Sequence, residues 1–154
     1  MTVDPYAQWM GEPMAEDDIE ALLTAANHGV LGLADGDEPY TIPVSFGYDD
    51  GDVFFAFVRT GPDSEKFEFI ESGATARLLV TDIKARFDWQ SVAVTGPVEA
   101  VSLTDSNWAR LVETLDENPW FSTAFEDDER VEGVQGWRLV PEDVVGLEVQ
   151  PESP

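Results

Sequence analysis

Cysteine, histidine and basic residues are scarce in this chain. Its 154 residues include no cysteine, one histidine and only eight lysines and arginines. Without cysteine, neither a disulfide framework nor a thiolate metal site can form. The few basic residues are dispersed, whereas nucleic-acid binding needs clustered Lys and Arg at the phosphates. The sequence therefore argues against nucleic acid as a partner.

Long apolar runs are also missing. No stretch approaches the roughly 20 apolar residues that span a bilayer. The first residues, MTVDPYAQWM, lack a basic region followed by an apolar one. We therefore expect a cytoplasmic protein with no membrane contact.

Acidic residues, by contrast, are abundant. There are 32 Asp and Glu, and the formal net charge is −24. The acids are scattered from Asp4 to Glu152 between aromatic and β-branched runs, which indicates a folded surface and not an acidic tail. Their mutual repulsion destabilises a compact state unless salt shortens the Debye length, to about 3 Å at 1 M. We therefore expect adaptation to concentrated salt, as in a halophilic organism.

The remaining composition is that of one ordinary domain, because 43% of the residues are hydrophobic and can form a core. Pro5, Gly11 and Pro13 show no period and predict an irregular arm over residues 1–15. Residues 16–150 then form the domain, and residues 151–154 are a tail.

Several catalytic motifs are absent. The chain has no HExxH, no Walker-type GxxxxGK[ST] and no GxGxxG motif. The histidine, His28, follows an amphipathic helix, and we interpret it as a structural residue at the helix end. Any pair of carboxylates among so many acids is interpreted as solvated surface, and no metal site is predicted.

Hydrophobic periodicity predicts two helices and a series of strands. One helix begins at Asp17 or Asp18 and ends at Asn27, His28 and Gly29, and the other begins at Thr104. The predicted strands are residues 30–35, 40–48, 53–59, 76–82, 91–101, 134–141 and 143–149. Their spacing is too short for parallel crossovers, so the sheet is expected to be antiparallel and closed.

Two prolines give local detail within these strands. Pro43 cannot donate a ladder hydrogen bond, so its strand should carry a bulge or lie locally at an edge. Gly96-Pro97 predicts a bend or bulge in the longest strand.

The order of these elements resembles a known family. The segments HGVLGLADGDEPYTIPVSFGYDDGDVFFAF, SEKFEFIESGATARLLVTD, WQSVAVTGPVEAV and WRLVPEDVVGLE cover most of residues 20–148. Together they resemble the pyridoxamine-phosphate-oxidase-like flavin-binding split barrels, and most closely the branch typified by nitroimidazole-resistance-like proteins.

This resemblance implies a fold and a function. The implied fold is mainly β, an antiparallel split β-barrel of six to seven strands, Greek-key type, with a few short peripheral helices. The implied function is a homodimer that binds FMN at its interface and transfers a hydride or electrons to a small organic substrate from a reduced nicotinamide. The alternatives are a deazaflavin-dependent reductase, FAD or haem as the bound group, and a non-catalytic binding or interaction module.

The resemblance also assigns residues to the cofactor. The phosphate is expected at Ser64 and Lys66, with Arg59 as a second cation. The flavin ring is expected to meet Gln90 and Ser91, the segment Pro43, Val44 and Ser45, and, at its dimethylbenzene side, Phe57 and Val58, although aromatic and β-branched residues also suit the barrel core. Trp120, Phe121 and Phe125 could line a substrate pocket, form a subunit contact or pack under the last helix.

Two departures from the family pattern bear on activity. Tyr40 stands where classical members have arginine, and Ala56 stands where they have Thr or His. The dispersed bases also leave no separate basic site for a second phosphate. True pyridoxamine phosphate oxidation is therefore not expected.

Overall fold

The computed structural model describes residues 7–59, 70–102, 104–116 and 133–151, with only the backbone described at the ends of some of these ranges. Within them, no helix is both long and apolar enough to cross a membrane. The described helices and strands are α1 (Ala7–Met10), β1 (Glu12–Pro13), α2 (Glu16–Ala25), β2 (His28–Asp35), β3 (Glu38–Asp49), β4 (Asp52–Arg59), β5 (Thr75–Ala85), β6 (Asp88–Val101), α3 (Ser106–Asp116), β7 (Gly133–Leu139) and β8 (Asp143–Val149). Each predicted strand and both predicted helices are present, with ends that differ by a few residues.

The strands form a closed antiparallel barrel. Six of them pair in the order β6-β5-β2-β3-β4-β7, and β7 pairs back onto β6. β8 pairs with the first half of β6, and β1 pairs with β8. The order β5-β2-β3-β4, in which a fourth strand returns beside the first of three consecutive strands, is a Greek key. The predicted fold class is confirmed.

Strand β6 changes partner at the predicted Gly96-Pro97 step. Before this step β6 pairs with β8, and after it with β7, while pairing with β5 continues through Pro97 without a register shift. A Cβ on Gly96 would overlap the carbonyl oxygen of Val140, so glycine permits the β7–β8 connection to cross here. At Gly96-Pro97, therefore, β6 changes its pairing partner from β8 to β7. The register shift between β5 and β6 lies instead between Ile83 and Ala85.

Helix α2 begins with three acidic residues, which suit the positive end of the helix dipole. It ends earlier than the sequence pattern predicts, since Ala26 is already extended, with φ −74° and ψ 141°. His28 and Gly29 therefore belong to β2, and the interpretation of His28 as a helix-terminal residue is wrong. Gly29 is buried and lies so close to β5 that a Cβ would be 2.8 Å from the carbonyl oxygen of Leu79.

Two apolar clusters hold the fold together. The barrel interior is filled by alternate residues of its strands, among them Leu31, Phe46, Phe55, Leu78 and Val94. Helix α3 packs on the outside of the barrel, where its Leu111 and Leu115 join Phe54 and Val101.

Tyr48 links α2 to β3, and its hydroxyl donates a 2.8 Å hydrogen bond to Oε1 of Glu20. Burial, this hydrogen bond and nearby acids, Asp52 among them, raise the pKa of Tyr48 to about 12. Because the fold favours the protonated phenol, the stability that it contributes is complete below the ordinary pKa of about 10. It is lost as the pH rises from about 10 to about 12.

The free energy of unfolding should therefore fall more steeply with pH over this range in the wild type than in Tyr48→Phe. Urea unfolding followed by circular dichroism at a series of alkaline pH values measures both slopes. Equal slopes for the two proteins would contradict the assignment.

Candidate functional site: an opening between two barrel strands

The barrel opens where β3 and β4 separate. β3 pairs with β2 from Glu38 to Ser45, but its pairing with β4 covers only Phe46–Asp49 and Asp52–Phe55. Beyond Phe55, β4 pairs with β7 in the described residues. Among the described residues, Pro43 therefore lies on a stretch of β3 that pairs along one edge, as its missing N–H predicts.

An open pocket of about 280 Å³ lies at this stretch and is lined by His28, Pro43, Val44 and Ser45. His28 and Ser45 are direct cross-strand partners, so both side chains lie on the outer face of the sheet with that of Pro43. Val44 is buried and faces the barrel interior. The described lining of the pocket thus combines apolar residues with one hydroxyl and one imidazole. Sequence periodicity missed His28, because only the strand pairing brings it to Ser45.

The outer face beside the pocket is uncharged along one cross-strand row. Its members are consecutive partners on five strands, namely Pro43, Val30, Leu79, Ala93 and Val145. Val30, Leu79 and Val145 are 43%, 41% and 45% exposed. On a protein with a net charge of −24, this row is an apolar strip, which we call the outer strip.

Ser91 also lies on this outer face, where it pairs with Thr81 and Leu147. It is on β6, three strand spacings or about 14 Å from Ser45 on β3. Gln90 points to the opposite face and donates a 3.0 Å hydrogen bond to Oε2 of Glu148. Gln90 lines a different pocket, at the end of the β5–β6 hairpin. The structure therefore does not place Gln90 and Ser91 in the pocket of Ser45.

Three of the remaining predicted residues lie on β4, and the other five lie outside the described residues. Phe57 is 2% exposed and packs in the barrel core with its ring centroid 5.4 Å from that of Phe55, as the core interpretation of this residue expects. Val58 and Arg59 end β4 opposite Val134 and Gly133, and only their backbone is described. Ser64, Lys66, Trp120, Phe121 and Phe125 lie outside the described residues.

The basic side chains that the structure describes have other partners. Arg77 donates to Oγ1 of Thr95, Lys84 lies 3.9 Å from Asp82, and Arg86 lies over the ring of Phe87. Arg110 and Arg138 bind acids near α3. None of these five residues is among the described residues that line the pocket. Nor do the described ranges contain a group of three His, Asp or Glu side chains suited to a metal ion.

A family model described as pyridoxamine 5′-phosphate oxidase matches residues 15–148. The chain belongs to this family. The matched range includes α2, the whole barrel and the pocket of Ser45. No curated protein matches the chain in sequence.

Solved structures of low sequence identity share the pyridoxamine 5′-phosphate oxidase family's fold with this chain. One is an FAD-binding protein from Mesorhizobium loti, with a TM-score of 0.73, 19% identity and coverage of 92% of this chain and 98% of that one. HutZ, the haem storage protein from Vibrio cholerae, has a TM-score of 0.65 and 13% identity over 86% and 94% of the two chains. A proposed 5-nitroimidazole antibiotic resistance protein from Bacteroides thetaiotaomicron has a TM-score of 0.59 and 17% identity over 89% and 88%.

The two departures from the family pattern lie away from the pocket. Tyr40 is partly buried and packs against the barrel core. Ala56 is partly buried and packs against the cluster under α3. In this member of the family, therefore, neither position offers a charged group to a ligand.

Proposed function

We propose that this protein binds FMN at the opening between β3 and β4 and transfers a hydride or electrons from a reduced nicotinamide to a small organic acceptor. The observation that carries the proposal is the pocket of His28, Pro43, Val44 and Ser45, formed where β3 loses its pairing with β4. Flavin supplies the redox chemistry when bound, so no acid or base is assigned to a side chain.

The pocket fits part of a flavin ring. Binding pockets for small molecules usually combine apolar walls with a few polar groups, as this one does. Its volume of about 280 Å³ lies just below the usual range of roughly 300–1,000 Å³. The described residues would therefore enclose only part of the cofactor, and a second surface would cover the rest.

The outer strip supports a homodimer as the source of that second surface. It is apolar, runs across five strands and begins at Pro43, which also lines the pocket. Two strips packed together would remove exposed Val30, Leu79 and Val145 from water and bring the pocket to the edge of the interface. We therefore propose that FMN lies between two copies of this chain.

The phosphate is proposed to lie at Ser64 and Lys66, with Arg59 nearby. The order of the chain supports this placement, because β4 ends at Arg59 on the open side of the barrel, a few residues before Ser64 and Lys66. Support also comes from charge, because none of the five described basic residues is among the described residues that line the pocket. The assignment of Gln90 and Ser91 to the ring stays a prediction.

Lys66→Ala tests this placement, with Lys84→Ala as a matched control that removes the chain's other lysine. We expect Lys66→Ala to weaken FMN binding by roughly tenfold to a hundredfold, the loss of one charge-assisted contact, and to leave the binding of phosphate-free riboflavin unchanged. Lys84→Ala should change neither. Calorimetric titration in concentrated salt measures all four affinities, and light scattering on the same samples should show dimers.

Three results would contradict the proposal. They are a wild-type protein that binds no FMN, equal effects of the two lysine substitutions, and a monomer in light scattering. Competition between FMN and FAD or deazaflavin would show which flavin the site prefers.

Non-catalytic haem binding is a second candidate, favoured by His28. Imidazole is a common axial ligand of haem iron, and this imidazole lines the pocket. One structural relative, HutZ, is a haem storage protein. A haem absorption band that His28→Ala removes, in a protein that binds no flavin, would favour this candidate over FMN.

A further inference from the structure

A second pocket, of about 280 Å³, lies at the end of the β5–β6 hairpin. Gln90, which lines it, pairs with Asp82 on β5 and with Glu148 on β8, and Asp82 lines it too. The register shift between Ile83 and Ala85 leaves Lys84 without a Cα partner on β6. Such bulges re-aim side chains, and here Lys84 lines the pocket.

This hairpin pocket presents charges of both signs. Lys84 supplies a cation, and its Nζ is 3.9 Å from Oδ2 of Asp82. Asp88 supplies a second carboxylate, and the side-chain amides of Gln90 and Gln150 supply donors and acceptors. A simple cation would face the ammonium of Lys84, and a simple anion would face two carboxylates. A ligand that carries both charges meets an opposite charge at each end.

Trp89 gives the hairpin pocket an apolar wall that is held in place. A Cβ on Gly11 would be 2.9 Å from Cη2 of Trp89, so the indole lies against the backbone of the N-terminal segment. Trp89 is thus positioned before a ligand arrives, and its ring can pack on methylene groups or on an ammonium.

We propose that the hairpin pocket binds a small zwitterion with an ammonium and a carboxylate joined by a short aliphatic chain. The carboxylate would lie at Lys84, the ammonium at Asp88, and the aliphatic part against Trp89. The −24 charge of the protein repels anions, but it does not repel a net-neutral ligand of this kind. Because the ligand is not a simple cation, it also does not compete with the cations of the solvent.

γ-Aminobutyrate is a suitable probe, because butyrate and butylammonium each retain one of its two charges. Titration would be followed at the indole N–H resonance of Trp89, which Trp89→Phe identifies. We expect γ-aminobutyrate to shift this resonance saturably and to bind on the order of tenfold more tightly than either analogue. Failure of γ-aminobutyrate to shift it saturably would overturn the proposal.

Two variants assign the two ends of the probe. Lys84→Gln should reduce the affinity for γ-aminobutyrate to that for butylammonium, and Asp88→Asn should reduce it to that for butyrate. Asp143→Asn, an exposed acid at the start of β8, is the control and should leave the affinity unchanged. Circular dichroism confirms that each variant is folded. Wild-type affinity in both pocket variants would overturn the assignment.

The hairpin pocket is proposed as a site separate from that of FMN. Gln90 lines the hairpin pocket and is also predicted to meet the flavin ring, so the two proposals share this residue. FMN affinity should be unchanged in Lys84→Gln and Asp88→Asn. If FMN displaces γ-aminobutyrate, the hairpin pocket belongs to the flavin site and the proposal of a second site is wrong. If the protein binds γ-aminobutyrate but no FMN, this proposal stands and the proposed flavin function fails.

Discussion

Transfer from molar to low salt should destabilise the protein strongly, lowering its free energy of unfolding by several kcal/mol. The cause is the excess of 24 negative charges. Two like charges about 10 Å apart in water repel by ~0.4 kcal/mol without screening, so a dozen such pairs cost about 5 kcal/mol. The stability of an ordinary domain is only about 5–15 kcal/mol. At about 1 M salt the Debye length of roughly 3 Å removes most of this repulsion.

Thermal unfolding followed by circular dichroism, in about 0.1 M and about 2 M potassium chloride, measures the effect. Sucrose is the matched control, because it strengthens apolar burial without screening charge. We expect added chloride to restore stability in dilute buffer and sucrose to restore much less. Equal unfolding temperatures at the two salt concentrations would show that the acidic surface is not an adaptation to salt.

Arg110→Ala should lower the free energy of unfolding by about 2–3 kcal/mol, more than the loss of any other described basic side chain. Arg110 on α3 donates from Nε to Oδ2 of Asp49 at 2.9 Å and from Nη1 to Oδ2 of Asp52 at 3.0 Å. Its Nη2 donates to the backbone carbonyl of Asp49 at 2.9 Å, and its guanidinium lies 4.9 Å from the ring centroid of Phe54. The hydrogen bond to Asp49, above all, raises the pKa of Arg110.

These contacts make Arg110 a polar link between α3 and the β3–β4 hairpin, beside the apolar packing of Leu111 and Leu115 on Phe54. Asp52 also accepts a 3.4 Å contact from Arg138, whose other terminal nitrogen binds Glu99 on β6. Removal of Arg110 leaves Asp49 and Asp52 with less compensating charge beside an already acidic surface. The contacts are short and only partly exposed, so the deficit should persist in molar salt.

Arg77→Ala is the matched control, since it removes the same charge from an exposed side chain whose hydrogen bond in the described residues is a single one, 2.9 Å to Oγ1 of Thr95. We expect it to cost less than 1 kcal/mol. Urea unfolding of both variants in molar salt gives the comparison. A cost for Arg110→Ala no greater than that for Arg77→Ala would contradict the role of Arg110.

The sequence predicted the strands well because their signals are local. Alternating and β-branched runs lie between turn residues such as Gly36-Asp37 and Asp50-Gly51, and the structure has turns at both places. Pro43 also indicated correctly a stretch of strand with one paired edge, because a missing N–H has the same consequence in any antiparallel sheet.

The site was predicted less completely because it depends on pairing between distant strands. His28 reaches the pocket through its partner Ser45, seventeen positions along the chain, and periodicity within α2 extended that helix too far. The outer strip joins residues of five strands, none of which is distinctive alone. The family resemblance grouped Gln90 with Ser91 by adjacency, whereas alternation along β6 sends their side chains to opposite faces.

The central claim is that a flavin occupies the pocket beside Ser45, and FMN titration of Ser45→Trp tests it most directly. Thr41→Trp is the control, since Thr41 lies on the same outer face of β3, opposite Gly32 and two pairs beyond Pro43. We expect the indole at position 45 to fill the pocket and weaken FMN binding at least about a hundredfold, or ~2.7 kcal/mol, and the indole at position 41 to leave it unchanged. FMN binding to folded Ser45→Trp with wild-type affinity would contradict the account.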